Sequence, residues 1–598
     1  MNLGDVSLAC AWALVDELAR GGVRHACLSP GSRSTPLALA LSRHPSIELQ
    51  VHLDERSSAF VALGLARATR RPVIVACTSG TAAAGFLPAV IEASRSRVPL
   101  VLLTADRPPR LRGTGANQTI DQVDLYGSHA EYLEPPVPLA PDDADAWRAA
   151  GHDAVLGIRR TLQPVQVNCP FDEPLTPSPD VALKPTTEPS AWPEQEEPSL
   201  SEEDADRLAS ELSGTRSVVV AGPTWPHDGT SVNLEIFELL GWPVLAEPIS
   251  GMRRPGALAA GQSLIADETW VAEHRPEVVL QVGATPTTRA TQGFVASAER
   301  LIVADRIHPD PDPEHRATWR LRADLPEVMA AIGGRDVMQL KSGTSGIAVT
   351  SSSIRPISDA EIERRLARAL EPAPAGWNEA WRDADTAART ALDAALDGWE
   401  EPFEPRIARD VAASIPDGGT LLVGNSSPIR DLDLAMRPRE RLHVVANRGA
   451  SGIDGLVSTT IGVASARRGP TVALLGDLSF AYDIGALTWN ARRTDLDLTL
   501  VVANNGGGQV FSLLPQRVLP EHRDLFVTPH ELDLEAICAA VGAPYHRVEA
   551  AGDLVPTIRG SRNQRGIRVV NVTVDADRDE ARREEQRKVV RVALDGAA

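Results

Sequence analysis

Short apolar runs recur along this chain, each followed by a turn and a helix-like segment, and the alternation restarts three times within 598 residues. In the first stretch, Ala26–Leu28, Ile47–Leu53, Val73–Thr78 and Val98–Thr104 read as strands, with helices over Pro36–Ser42 and Glu55–Thr69. In the second, Ser217–Ala221, Pro243–Ala246, Val278–Val282 and Leu301–Ala304 read as strands. In the third the runs are Leu421–Val423, His443–Ala446, Val472–Leu475, Leu498–Ala503 and Val569–Val574. Strands alternating with helices imply a parallel sheet covered on both faces. The expected fold class is α/β, as three consecutive open parallel-sheet domains. Ligands of such sheets lie beyond the carboxyl ends of the strands, so chemistry is sought just after the apolar runs.

Two stretches interrupt the pattern. Phe171 to Asp204 is crowded with Pro, Glu, Ser and Thr and has no helical or strand period; Lys341 to Pro356 is rich in Ser and Gly. Both read as extended, exposed linkers. They divide the chain into domains spanning residues 1–180, 200–342 and 357–598, each of ordinary size.

Composition excludes several classes. The chain has 80 acidic and 60 basic residues, a net charge of −20. A nucleic-acid binder needs a basic face to displace counterions, and an anionic membrane surface would repel this chain. No run approaches the roughly 20 apolar residues of a membrane span. Met1 to Gly21 carries Asp5, Asp16 and Glu17 and lacks a signal-peptide pattern. The five cysteines, Cys10, Cys27, Cys77, Cys169 and Cys538, form no CxxC pair. Neither a zinc site nor a disulfide framework is expected, and the reducing cytoplasm is the expected compartment.

The third domain carries the sharpest signal. The run Val472–Leu475 ends in Gly476, Asp477, Leu478 and Ser479, and Leu498–Ala503 ends in Asn504, Asn505, Gly506, Gly507, Gly508 and Gln509. One strand–helix–strand unit separates them, so both ends face the same sheet edge. A carboxylate and an amide oxygen converging there are hard ligands suited to Mg2+, which takes phosphate oxygens as further ligands. The glycines let the backbone approach a diphosphate and offer a carbonyl. Each dipeptide alone is an ordinary turn; the pair at this spacing is far more specific.

This pairing resembles the diphosphate-binding signature of thiamine-diphosphate enzymes, a GDG followed by NN, with Leu478 in place of the third residue. Such an enzyme also needs a carboxylic acid against the cofactor's aminopyrimidine. Glu55, after a strand and at a helix start, is the candidate; Asp54 beside it is equally able to fill the part, and either could be a simple helix-start acid. Arg33 in SPGSRSTPL, Arg107 in TADRPP, Arg430 in GNSSPIR and Arg448 in NRGASGIDG all follow strand runs. Arginine grips carboxylates bidentately, so four of them around one cofactor suggest polycarboxylate substrates.

Taken together, SPGSRSTPL, the DER at 54–56, TADRPP, GANQTI, NRGASGIDG and GDLS…NNGGGQVFSLLP resemble the 2-succinyl-5-enolpyruvyl-6-hydroxy-3-cyclohexene-1-carboxylate synthases, a thiamine-diphosphate family in which GDLS replaces GDG. The likeness is strong in the first and third domains and weaker in the second. It implies the thiamine-diphosphate-binding fold, with a pyrimidine-binding first domain and a diphosphate-binding third domain. It implies Glu55 as the cofactor-activating acid, and Asp477, Asn505 and the Gly507 carbonyl as ligands of Mg2+ or Mn2+. Gly476, Leu478, Ser479, Gly508, Gln509 and Val510 would line the cofactor, and Ile453 would support its bent form. Ser426, Arg430 and Arg448 would bind the distal carboxylate of 2-oxoglutarate. Ser32, Arg33, Arg107, Asn117 and Gln118 would bind isochorismate. Phe511 would wall the reacting pocket, and Arg289, where the family commonly has Lys, would add a charge from the second domain.

The reaction so implied is a carboligase-type transfer. Decarboxylation of 2-oxoglutarate gives a succinyl-type acyl carbanion, which adds to isochorismate in menaquinone biosynthesis. A homodimer or homotetramer is implied. The competing readings are an acetolactate-type carboligase acting on pyruvate, and a non-catalytic nucleotide- or flavin-binding α/β protein. The second domain ends its strands in AGPTW and QVGATPTT, with no full GxGxxG, which speaks against the latter.

Overall fold

The computed structural model describes residues 2–181, 183, 185, 200–224, 234–308, 311–333, 370–467 and 469–596. Residues 182, 184 and 186–199 of the first linker and all of the second lie outside them. Among the described residues the strands form three sheets, and every pairing whose register is resolved is parallel. The α/β reading holds throughout.

The first sheet contains β1 His25–Leu28, β2 Glu48–Val51, β3 Val73–Cys77, β4 Leu100–Asp106, β5 Glu131–Leu133 and β6 Val165–Pro170, in the order β2-β1-β3-β4-β6-β5. The central sheet contains β7 Ser217–Ala221, β8 Val244–Ala246, β9 Val278–Val282, β10 Arg300–Ala304 and β11 Trp319–Leu321, ordered β11-β10-β9-β7-β8. The third contains β12 Thr420–Val423, β13 His443–Val445, β14 Thr471–Gly476, β15 Asp497–Asn504, β16 Tyr545–Val548 and β17 Gly566–Thr573, ordered β13-β12-β14-β15-β17-β16. The first and third sheets thus share one winding. Its direction reverses between β1 and β3 and again between β12 and β14, the places where open α/β sheets leave a ligand crevice.

The chain forms two compact units: residues 1–195, 414–428 and 445–574 make one, and 196–413, 429–444 and 575–598 make the other. In the first unit the helices Glu55–Thr69 and Leu456–Ala466 cross closely. Glycine permits this: a Cβ on Gly64 would collide with the Thr459 carbonyl, and one on Gly462 with that of Val61. Val61, Leu65, Val457 and Ile461 join one core at this crossing. Each helix places one glycine, Gly64 or Gly462, where the backbones must approach. In the second unit, Trp381, Leu392 and Leu396 of the Trp377–Asp397 helix pack with Trp270, Phe294 and Leu594. All five cysteines are buried and free, as apolar fillers are. Among the described residues no helix is long and apolar enough to cross a membrane.

Candidate active site

β14 and β15 run in register with Gly476 opposite Ala503, so the two glycine-bearing turns leave the sheet side by side. Asp477 opens a short helix and is 2% exposed. Its Oδ1 accepts from the Leu478 amide at 2.6 Å and its Oδ2 from the Gly507 amide at 2.9 Å. The two sequence motifs are therefore physically joined. His530 Nε2 lies 3.2 Å from the same Oδ2. Burial pushes the Asp477 carboxyl above its ordinary pKa, against the pull of His530 and the neighbouring amides. Gly507 has φ 150 and no room for a side chain, since a Cβ would lie 2.5 Å from the Val527 carbonyl. The Gly508 amide donates to that carbonyl at 2.7 Å, and Gln509 Nε2 to the Asn505 carbonyl at 3.4 Å. Val510 and Phe511 continue in a 3-10 turn, with Phe511 tilted against Phe526 at 5.7 Å between ring centroids. Leu478 and Ser479 occupy the first turn after Asp477. His530 and Val527 were invisible to motif reading because they arrive from a separate loop.

In the first domain, Asp54 and Glu55 have different duties. Asp54 Oδ1 caps the helix, accepting from the amides of Arg56 at 2.8 Å and Ser57 at 3.2 Å. Glu55 is the first residue inside the helix. Among the described residues no hydrogen bond or ion pair engages its carboxylate. Gly85 gives it room: a Cβ there would lie 3.1 Å from Glu55 Cβ. Cys77 is buried, and burial with the Glu55 charge drives its thiol pKa upward.

Arg33 and Arg107 come together beyond β1 and β4. Arg33 donates to the Phe171 carbonyl at 3.0 Å and to Glu173 Oε1 at 3.0 Å. Arg107 donates to Ser79 Oγ and to the Gln118 carbonyl, the latter at 2.6 Å. Desolvation lowers the Arg107 pKa, and the nearby Arg33 charge lowers it further. Gln118, at φ 53, donates through Nε2 to the Ser79 carbonyl at 3.1 Å. Ser32, next to Arg33 in sequence, and Asn117, next to Gln118, are both exposed. Ser79, which follows the Val73–Thr78 run and belongs to none of the arginine motifs, is the shared partner of Arg107 and Gln118.

The turn after β12 holds Ser426 in the left-handed region, φ 73. Its neighbour Asn425 is 2% exposed and organises the NRGASG loop. Asn425 Nδ2 donates to the carbonyls of Asn447 at 2.8 Å and Gly452 at 2.7 Å, while its Oδ1 accepts from Arg448 Nη1 at 2.8 Å. Ser426's turn and Arg448 are thus brought together. Ile453 follows this loop and is 36% exposed.

Arg289 and Arg430 fall in the second compact unit, where they are electrostatic neighbours. Desolvation and Arg289 lower the Arg430 pKa, and Asp431 opposes them. Arg289 begins a helix capped by Thr288, and buried Glu247 holds the preceding turn through Thr287 N and Oγ1. The helix carrying Arg430 is held at its carboxyl end by guanidiniums. Arg253 donates to the carbonyls of Asp433 at 2.9 Å and Met436 at 2.7 Å, and Arg389 to that of Ala435 at 2.9 Å.

Two family descriptions match the chain: the thiamine pyrophosphate enzyme N-terminal binding domain over residues 9–125, and the C-terminal binding domain over 430–572. Curated relatives match nearly end to end. A 2-succinyl-5-enolpyruvyl-6-hydroxy-3-cyclohexene-1-carboxylate synthase of Thermobifida fusca is 40% identical, over 95% of this chain and 96% of its own length. Synthases of the same name from Chloroflexus aurantiacus and Saccharopolyspora erythraea are 38% and 37% identical, covering 89% and 99% of this chain and 88% and 100% of their own. With the matched domains lying over the two like-wound sheets and the relatives covering the chain throughout, this protein belongs to the 2-succinyl-5-enolpyruvyl-6-hydroxy-3-cyclohexene-1-carboxylate synthase family of thiamine-diphosphate enzymes.

Proposed function

We propose that the chain is a thiamine-diphosphate- and Mg2+-dependent synthase of menaquinone biosynthesis, working in the cytoplasm, that decarboxylates 2-oxoglutarate and joins the succinyl unit to isochorismate. The observation that carries the cofactor assignment is the bond between Asp477 Oδ2 and the Gly507 amide, which ties GDLS to NNGGG at one sheet edge. The residues fit the group. Among the described residues no cluster of three or more His, Cys, Asp or Glu could hold a metal. A cation here would take one carboxylate, from Asp477, with the oxygens of Asn505 and Gly507 and those of a diphosphate, the ligand set of Mg2+ or Mn2+. Gly476, Leu478, Ser479, Gly508, Gln509 and Val510 line that approach, and Ile453 and Ser426 complete the cradle.

When bound, thiamine diphosphate supplies the electron sink that lets a 2-keto acid lose carbon dioxide. The chain's own part is acid–base chemistry, positioning and charge. Asp54 caps the helix, and Glu55, whose carboxylate has no hydrogen-bond partner among the described residues, is the acid that faces the aminopyrimidine. Arg33 and Arg107, with Ser32, Asn117 and Gln118, form the cationic corner for isochorismate; Arg430 and Arg448 take the distal carboxylate of 2-oxoglutarate, Arg289 adds charge and Phe511 excludes water. The functional domains are taken as 1–180, 200–342 and 357–598, each containing one sheet.

We assign the active form as a homodimer or homotetramer. Leu53 is 62% exposed and Trp489 and Tyr482 are each 53% exposed, with Trp489 Nε1 donating to the Val51 carbonyl at 2.7 Å. An apolar patch of this kind beside Glu55 is suited to cover by a second copy.

Replacing Arg448 by Ala tests the substrate assignment. Losing a charge-assisted contact raises the KM for 2-oxoglutarate by about 10–100-fold, with the isochorismate KM changed by less than about twofold. Steady-state kinetics with each substrate varied in turn make the measurement. Unchanged use of 2-oxoglutarate would favour a pyruvate-type carboligase instead.

A further inference from the structure

The loop that carries Arg448 is held from the other domain of its own unit. Glu92 lies on the Leu87–Arg95 helix, and its side chain is 4% exposed. Oε1 accepts from the Gly449 amide at 2.9 Å and Oε2 from the Ala450 amide at 2.6 Å. Arg67 donates to the same Oε1 at 3.0 Å and to Ser96 Oγ at 2.7 Å. A buried carboxylate is tolerated only when paired and hydrogen-bonded, and Glu92 has a guanidinium and two amides. The loop presses directly on this helix: a Cβ on Gly449 would lie 2.5 Å from the Glu92 carbonyl and 2.8 Å from the Ser96 amide. On its far side Asn425 grips the Asn447 and Gly452 carbonyls and Arg448 itself. Arg448 therefore sits between two buried anchors, one from each side.

We infer that Glu92 is a positioning residue that acts through Arg448, fixing its loop so that the guanidinium is aligned for the carboxylate of the keto-acid substrate before that substrate arrives. This rests on the assignment of Arg448 to 2-oxoglutarate. Nothing else in the loop's chemistry requires a carboxylate: two adjacent amides aimed at solvent would be satisfied by water. A charged group buried to receive both is a device for rigidity. Rigidity here means that binding does not have to order the loop.

The test uses full-length enzyme with thiamine diphosphate and Mg2+, and the variants Glu92→Gln, Arg448→Ala and the double variant. Glu92→Gln keeps the shape but turns an NH2 toward one of the two amides. Its KM for 2-oxoglutarate should rise about tenfold, its isochorismate KM should move less than twofold, and amide hydrogen exchange over 447–452 should accelerate. In the Arg448→Ala background the same change should add no further increase, because a residue acting only through Arg448 has nothing left to position. Faster exchange with an unchanged 2-oxoglutarate KM would overturn the positioning role. So would an equal increase in both backgrounds. If Arg448→Ala itself leaves that KM unchanged, the substrate assignment fails instead, and the two failures are told apart. Should Glu92→Gln not fold, Arg67→Lys loosens the carboxylate without removing it; a selective rise in the 2-oxoglutarate KM supports the inference and no rise overturns it.

Discussion

Glu55→Gln is expected to lower kcat by about 10²–10⁴-fold, the range for loss of a positioned acid–base group, while thiamine diphosphate and Mg2+ still bind within about threefold. The amide keeps the size and polarity of the side chain but cannot act as a carboxylic acid or its conjugate base. Helix capping is untouched, because Asp54 supplies it through the Arg56 and Ser57 amides. Stability should therefore stay near that of the parent. The converse change, Asp54→Asn, leaves a good cap residue in place and should spare most turnover. Steady-state kinetics with cofactor titration separates the two. Near-normal turnover in Glu55→Gln would remove Glu55 from the chemistry.

Asp477→Ala should abolish retention of the cofactor. Its carboxylate is buried, accepts from the Leu478 and Gly507 amides and has the His530 imidazole 3.2 Å away, so its loss removes the centre of the turn pair. Losing an outer-shell partner of a bound metal weakens affinity roughly 10–100-fold, and loss of the carboxylate proposed to hold the metal itself should exceed that. Tryptophan-fluorescence titration with thiamine diphosphate, at fixed and at varied Mg2+, checks it. Asp477→Asn sharpens the test by keeping the shape and the acceptor for one amide. It should fold and still fail to bind in the presence of Mg2+. Parent-like affinity in Asp477→Asn would place the metal elsewhere.

The parts of this fold that could be read in advance are those with strong periodicity. The helix expected over Glu55–Thr69 has those bounds, and the strands at Ser217–Ala221 and Val278–Val282 coincide with β7 and β9. Ile47–Leu53 runs two residues past β2, because Leu53 is apolar but exposed. β5 and β11 escaped notice as three-residue strands. β6 escaped because Gln166 and Asn168 interrupt its apolar run; both are buried and satisfied by Thr104, Gln122, Asp106 and Glu134, partners that only the fold supplies. β16 is an edge strand reading Tyr-His-Arg-Val, with one fully buried position. The site divides the same way. Asp477 and the NNGGG run announce themselves by following strands. Ser79, Asn425, His530 and Glu92 are ordinary residues whose meaning comes from what the chain folds against them.

The most direct test of the proposed activity follows isochorismate absorbance with purified protein, Mg2+ and 2-oxoglutarate, with and without thiamine diphosphate. The expected result is loss of isochorismate that requires both the cofactor and 2-oxoglutarate, with carbon dioxide released in equal amount. Persistence of isochorismate while carbon dioxide is still released from 2-oxoglutarate would contradict the assigned acceptor, and absence of both signals would contradict the synthase reading as a whole.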